Sequence, residues 1–396
     1  MTITKRWLLP EGVEEILPPK AIQLEQLCRK IIDLFSTWGY EFVIPPMIEY
    51  LESLLTGTGK DLDLQTFKLT DQLSGRLMGF RADITPQVAR IDAHLLKRDT
   101  PTRLCYLGSV LHTRPGKSGE TRAPLQLGAE LYGHAGVASD IEIVKLMLAT
   151  LKTVGIRQMY IDIGHIGLFR TLSSESSLSV EQQAEVFAAL QRKAKDELKS
   201  LYKRWNVTDD ASNALLELID LNGDQTVLDE AGKLFKNLSP NVTKYIDEVK
   251  AIVESISDKT DVSINIDLAE LRGYHYHTGM VYTAFVPGVG EGIAFGGRYD
   301  DIGRAFGRAR PATGFSTDVK TLLKLQGDKD NTGENSPAII FAPVSDDASL
   351  QEKINALRGV GEVVVQELEG QRETAKEMNC HQQLSLADGE WVIKNL

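Results

Sequence analysis

Four short boxes hold most of the side chains in this sequence that could do chemistry. Arg81-Ala82-Asp83-Ile84-Thr85-Pro86 comes first, followed by Gln126-Leu127-Gly128-Ala129-Glu130-Leu131-Tyr132-Gly133. Leu271-Arg272-Gly273-Tyr274-His275-Tyr276-His277-Thr278-Gly279 and Phe295-Gly296-Gly297-Arg298-Tyr299-Asp300 come much later. Asp83, Thr85, Gln126 and Glu130 are carboxylates and neutral acceptors, a set that suits an ammonium group. Arg272 carries a planar fork that matches a carboxylate in two hydrogen bonds. Tyr276 offers a hydroxyl to a ring nitrogen, and His277 stands beside it. Each residue alone has a plainer reading. Gln126 and Glu130 fit the solvated face of a strand, and Arg272 fits a structural ion pair. His275 and His277 share one strand face and could bind a metal, but no third ligand is evident, so none is expected.

These boxes need elements to position them. Leu24, Leu27, Ile31, Leu34, Phe35 and Trp38 recur at three- and four-residue steps, which predicts an amphipathic helix over 20–38 stopped by Gly39. Tyr40 to Ile44 reads as a strand closed by Pro45-Pro46. Residues 103–133 alternate as a β-hairpin, with a Gly-, Lys- and Ser-rich turn from Arg114 to Thr121. Ser139-Asp140 caps a helix that ends at Gly155, and Met159 to Ile163 is another strand. From 170 to 258 glycine is scarce and Gln, Lys, Glu and Leu dominate, which predicts a helical insertion. Strands return over 262–300, split by the hairpin turn Pro287-Gly288-Val289-Gly290-Glu291-Gly292. Residues 326–337 form a polar linker. A strand (338–342), a helix (348–358), a strand (362–366) and a last strand near Trp391 follow.

In order and spacing, the four boxes resemble the catalytic core of histidyl-tRNA synthetases over residues 5–325. The helix and proline-closed strand resemble motif 1, the dimer element of class II synthetases. The resemblance implies an α+β fold: a class II aminoacyl-tRNA synthetase-like antiparallel sheet of six or seven strands flanked by helices. It implies a core domain over 1–325 with the insertion at 170–258, and a truncated α/β domain over 338–396. It also implies a histidine site of Asp83, Thr85, Gln126, Glu130, Arg272, Tyr276 and His277. Asp83 stands there for a glutamate, and His277 for a second ring-facing tyrosine. Arg114, Arg298 and Tyr299 are further candidates. Arg114 could instead pair with Glu120 or Glu130.

The ATP-binding arginines of class II synthetases are missing. Gapless matching through motif 2 puts Leu111-His112-Thr113-Arg114 where Phe-Arg-x-Glu is usual, so His112 replaces the arginine. Pro311-Ala312-Thr313-Gly314-Phe315 opens motif 3, and its arginine position falls on Thr321, preceded by Lys320. Each loss removes a fixed positive charge worth roughly 3–4 kcal/mol in the transition state. Together they remove roughly 5 kcal/mol or more, about four powers of ten in rate. Arg114 and Lys320 are poor surrogates, because displacement along a strand changes the face.

This pattern resembles the regulatory subunit of ATP phosphoribosyltransferase, a relative of the synthetase that has lost aminoacylation. The implied role is non-catalytic. Such a subunit activates a short catalytic subunit in the first step of histidine biosynthesis and mediates feedback inhibition by histidine. The family implies a homodimeric core within a hetero-octamer of four regulatory and four catalytic chains. An active, divergent histidyl-tRNA synthetase using Arg114 or Lys320 is the alternative, and a paralogue serving another partner is a third reading.

Composition agrees. Against 44 basic residues stand 55 acidic ones, a net charge of −11, which disfavours a tRNA partner because such affinity comes largely from phosphate contacts. No run of 18 apolar residues suggests a membrane span, and the first residues carry no apolar signal core. Cys28, Cys105 and Cys380 are far apart, with no C-x-x-C pair. A cytoplasmic location and no cofactor are expected.

Overall fold

The computed structural model describes residues 7–57, 60–115, 121–257, 261–273, 276–326 and 338–396. Contacts divide the chain into two compact units, Met1–Gln326 and Gly327–Leu396. The expected linker lies almost wholly outside the described residues.

The first unit opens with helix α1 (Lys20–Thr37), which buries Leu24, Leu27, Cys28, Ile31 and Phe35 along one stripe. Gly39 adopts φ +81°, which L side chains resist, and turns the chain into strand β1 (Glu41–Val43). Next come β2 (Ile48–Tyr50), α2 (Leu51–Leu54), α3 (Lys60–Gln65), β3 (Lys68–Thr70) and β4 (Leu77–Phe80). These strands form a small antiparallel sheet in the order β2-β4-β3. Helix α4 (Thr85–Arg90) runs into a π-helical turn at Ile91–Leu96. The hairpin β5 (Thr102–Ser109) and β6 (Leu125–Tyr132) pairs Leu104 with Glu130 and Tyr106 with Gly128. Helix α5 (Val137–Thr153) and strand β7 (Met159–His165) follow.

The insertion is helical: α6 (Ile166–Glu175), α7 (Val180–Gln191), α8 (Lys195–Trp205) and α9 (Asp210–Glu217). A two-residue strand, β8 (Asn222–Gly223), precedes α10 (Thr226–Leu234) and α11 (Pro240–Ile256). Strands β9 (Val262–Asp267), β10 (Met280–Phe285), β11 (Ala294–Arg298) and β12 (Ala312–Asp318) then complete the sheet, and α12 (Val319–Gln326) ends the unit.

The main sheet has nine strands in the order β1-β5-β6-β12-β11-β10-β7-β9-β8. Its central six are antiparallel, as expected. Two outer pairings, β1 with β5 and β7 with β9, are parallel. Both parallel pairs are joined through long crossings, residues 44–101 and the helical insertion, and parallel neighbours require such crossings. One face of the sheet packs on α1 and α5 through Phe35, Leu127, Ala129, Leu131 and Met147. Ile84, Tyr106, Tyr132 and Tyr299 form a second cluster.

The second unit contains β13 (Ile339–Ala342), α13 (Ala348–Gly359), β14 (Val363–Gln366), β15 (Gln382–Ala387) and β16 (Glu390–Asn395). They form one sheet in the order β14-β13-β15-β16. Strand β15 escapes the sequence reading because Gln382-Gln383 opens it with two polar residues, and only Leu384 is buried. Among the described residues, no helix is long and apolar enough to cross a membrane.

Candidate amino-acid pocket

Strand β6 places the central residue. Its side chains alternate: Leu127, Ala129 and Leu131 enter the core, while Gln126, Glu130 and Tyr132 occupy the opposite face. Glu130 is opposite Leu104 on β5 and Gly314 on β12, so it lies inside the sheet and is 1% exposed. Two close approaches make room there. A Cβ at Gly314 would overlap Glu130 Oε2, and one at Gly128 would overlap the Tyr106 hydroxyl.

Glu130 accepts three hydrogen bonds from hydroxyls. Thr85 Oγ1 donates to Oε1 at 3.1 Å and Tyr106 OH at 3.0 Å, while Tyr299 OH donates to Oε2. Burial, together with the Asp83 charge, pushes the carboxyl up to about 8 against the pull of those hydroxyls. Asp83 is fixed at the start of α4. Its Oδ1 accepts from Gln126 Nε2 at 2.8 Å and from the Thr85 amide at 3.1 Å, while Gln126 Oε1 accepts the Ile84 amide at 2.9 Å. Asp83, Thr85, Gln126 and Glu130 therefore form one hydrogen-bonded cluster holding two carboxyl groups. Neither carboxyl has a basic partner among the described residues.

An aromatic wall adjoins the cluster. The Tyr276 and Tyr299 rings lie 4.9 Å apart at 35°, and the His277 ring meets Tyr276 edge-on at 5.2 Å. Among the described residues the Tyr276 hydroxyl is buried without a hydrogen-bond partner, and His277 Nδ1 packs against the Gly273 backbone. Such an orphan hydroxyl costs about 1–3 kcal/mol unless something satisfies it. Burial pushes the His277 imidazole down to about 4, so it is neutral at pH 7. His275 lies outside the described residues. Among the described residues no group of His, Cys, Asp or Glu side chains could hold a metal ion.

The remaining candidates sit elsewhere. Arg272 is exposed; its guanidinium pairs with Glu270 at 3.2 Å and lies 5.8 Å from the Phe285 ring centroid. Arg298 is not available to a ligand. Its donors reach Asp140 at 2.7 and 3.1 Å, Ser139 Oγ at 2.8 Å, and Asp300 and the carbonyls of His134 and Gly136 at 3.2 Å. It fastens the start of α5 to the sheet, and breaking such a buried pair costs about 3–5 kcal/mol. Arg114 is exposed and does not pair with Glu130, whose oxygens the three hydroxyls occupy; Glu120 lies outside the described residues. Tyr106 was missed as a site residue. The signal was present in the hairpin register, which sets Tyr106 beside Gly128, two residues before Glu130.

The positions of the missing arginines have other structural uses. His112 Nε2 contacts the Ala82 carbonyl at 2.9 Å, and its amide donates to Arg122 O. Thr321 Oγ1 donates to Asp318 at 2.9 Å at the start of α12. Lys320 turns to Glu14 at 3.6 Å.

The sheet and pocket define a histidyl-tRNA synthetase-like class II fold. The family model described as histidyl-tRNA synthetase matches residues 12–322. A histidyl-tRNA synthetase from Nostoc shares the fold at TM-score 0.74 and 20% identity, with 98% of this chain and 97% of that one covered. More specifically, the chain belongs to the ATP phosphoribosyltransferase regulatory subunit family. The relative of that name from Thioalkalivibrio sulfidiphilus is 52% identical over the full length of both chains, and that from Azotobacter vinelandii is 52% identical over 99% of each. Residues 337–394 match the model of the ATP phosphoribosyltransferase subunit HisZ C-terminal domain. A Bacillus halodurans structure titled as an ATP phosphoribosyltransferase regulatory subunit/histidyl-tRNA synthetase superposes at TM-score 0.81 and 26% identity, covering 94% of this chain and 96% of that one.

Proposed function

We propose that this chain is the non-catalytic regulatory subunit of ATP phosphoribosyltransferase, and that its pocket senses free L-histidine. One contrast carries the reading. The cluster of Asp83, Thr85, Gln126 and Glu130 is intact and lacks a cation, whereas the ATP-arginine positions are His112 and Thr321, both engaged in local structure. A pocket kept for an amino acid without the means to activate it is a sensor.

The α-ammonium of histidine supplies the charge that the two carboxyls lack. Its imidazole meets the Tyr276 hydroxyl, which has no partner among the described residues, beside the His277 ring. The family resemblance assigns the ligand carboxylate to Arg272, which would have to swing from its exposed pair with Glu270 to reach it. Histidine regulates the catalytic partner by binding two conformations of the assembly unequally.

The body over 1–325 is the synthetase-like domain and 338–396 the truncated end domain. Two such chains pair through motif 1, where the edge strand β1 and the segment after it leave Phe42, Ile44, Met47 and Ile48 exposed. Four regulatory and four short catalytic chains make the full complex. The free cysteines Cys28, Cys105 and Cys380 support a reducing, cytoplasmic setting.

Turnover of ATP with phosphoribosyl pyrophosphate by a short-form catalytic subunit tests this, with and without the chain, across a histidine titration. The chain is expected to raise turnover and to confer or strengthen inhibition by histidine. If it changes neither, the regulatory reading fails.

A further inference from the structure

We propose that ligand capture in this pocket is coupled to the loss of one proton from Glu130. The inference rests on the reading that the pocket takes free histidine through its ammonium group. It concerns the state of the empty site, which that reading leaves open.

The geometry first excludes a ready-made counter-charge. From the segment entering α4, Asp83 and Thr85 face Glu130; from β5, Tyr106; from its own strand, Tyr132. Tyr299 follows β11 and reaches Oε2, Tyr276 stacks on Tyr299, and Tyr282 on β10 donates to Gly314 O beside it. Strand β12 contributes Gly314, which has no charge. These elements and segments surround the carboxyl with hydroxyls and one like charge. Among the described residues none supplies a cation, and Glu130 forms no ion pair. A carboxylate at 1% exposure in such surroundings is strongly disfavoured.

The hydroxyl shell tolerates both states. A neutral Glu130 donates its own proton to one hydroxyl and accepts from the others, because Thr and Tyr hydroxyls both donate and accept. An ionised Glu130 accepts from all three. What decides between them is the charge brought by the ligand. When an ammonium enters, the burial penalty on the carboxylate is offset by direct attraction, and Asp83 is countered by the same charge. The balance is neutral Glu130 plus ammonium ligand giving a carboxylate–ammonium pair plus one proton released to solvent. No oxidant, reductant or third component is needed.

Burial and Asp83 place the empty carboxyl near 8, so most of it is protonated at neutral pH. Binding at pH 7 should therefore release close to one proton per site, and affinity should fall about fivefold from pH 8 to pH 7. His277, already neutral in this range, adds nothing to that count.

Calorimetry of L-histidine binding to the full chain at about pH 7 tests this, in buffers of different ionisation enthalpy. The slope of observed against buffer enthalpy gives the proton count. Infrared spectroscopy of the empty chain provides a second, ligand-free readout. The C=O stretch of a protonated carboxyl should be present at about pH 7, absent in Glu130→Gln, and lost on adding histidine. Histidine binding with a proton count near zero, or an empty chain without the band, overturns the coupling and leaves the pocket reading standing. If histidine does not bind at all, the pocket reading falls and takes the coupling with it.

Discussion

At the scale of single residues, Glu130 and the glycine opposite it set the terms. Alanine at Gly314 would overlap Oε2, and overpacking of this kind costs about 1–3 kcal/mol. Gly314→Ala should lower the urea midpoint and abolish histidine binding; a variant that binds normally would show that the carboxyl can move aside. The raised carboxyl also fixes the direction of a stability trend. Between its ordinary 4.5 and about 8, the unfolded chain gives up a proton that the folded chain keeps. The empty protein should thus lose stability as pH rises through that window, and Glu130→Gln should flatten the slope. Urea midpoints at about pH 5 and about pH 8 check this, and equal slopes in both proteins would refute it. Arg272→Ala should weaken histidine binding measured by calorimetry, and unchanged affinity would sink its place in the pocket. The acceptor types in the first two boxes were legible because they lie on one short strand and one helix start. Arg298 was not. An arginine beside Tyr299 reads alike whether its fork faces a ligand or Asp140, and only the packing of α5 on the sheet separates the two.

At the scale of elements, periodicity carried most of the information. The apolar steps from Leu24 to Phe35 gave α1 its buried stripe, and the alternation of β6 placed Glu130 away from the core. Direction within the sheet was less legible, since a parallel partner depends on how the chain crosses over, and no local pattern in β1 or β9 encodes it. Strand β15 was lost because its pairing with β13 and β16, rather than its own polarity, makes it a strand. The sequence reads β1 as a strand but not its parallel direction, and its edge position leaves an apolar row exposed. Ile44 is 78% exposed, so a charge there costs the folded monomer little. If two chains pair there as proposed, Ile44→Glu should shift sedimentation from dimer to monomer while leaving the melting of the fold nearly intact. A dimer that persists would place the interface elsewhere.

At the scale of the whole molecule, a synthetase fold is separated from synthetase chemistry. Histidine-dependent exchange of pyrophosphate into ATP should be absent even at high enzyme concentration. Measurable exchange would mean that Arg114, exposed, or Lys320, which faces Glu14, does the missing arginine work. The pocket is also assembled from distant parts of the chain. Thr85, Tyr106, Glu130, Tyr299 and Gly314 meet only when β12 has closed on β6, with a helical insertion threaded between the two halves. Such long-range pairing is intrinsically slow to form. A chain ending before residue 312 carries Glu130 but not Gly314 or the strand that pairs with β6, and so cannot assemble this cluster. If the pocket senses histidine as proposed, only finished copies can respond, and incomplete ones stay deaf to the amino-acid supply.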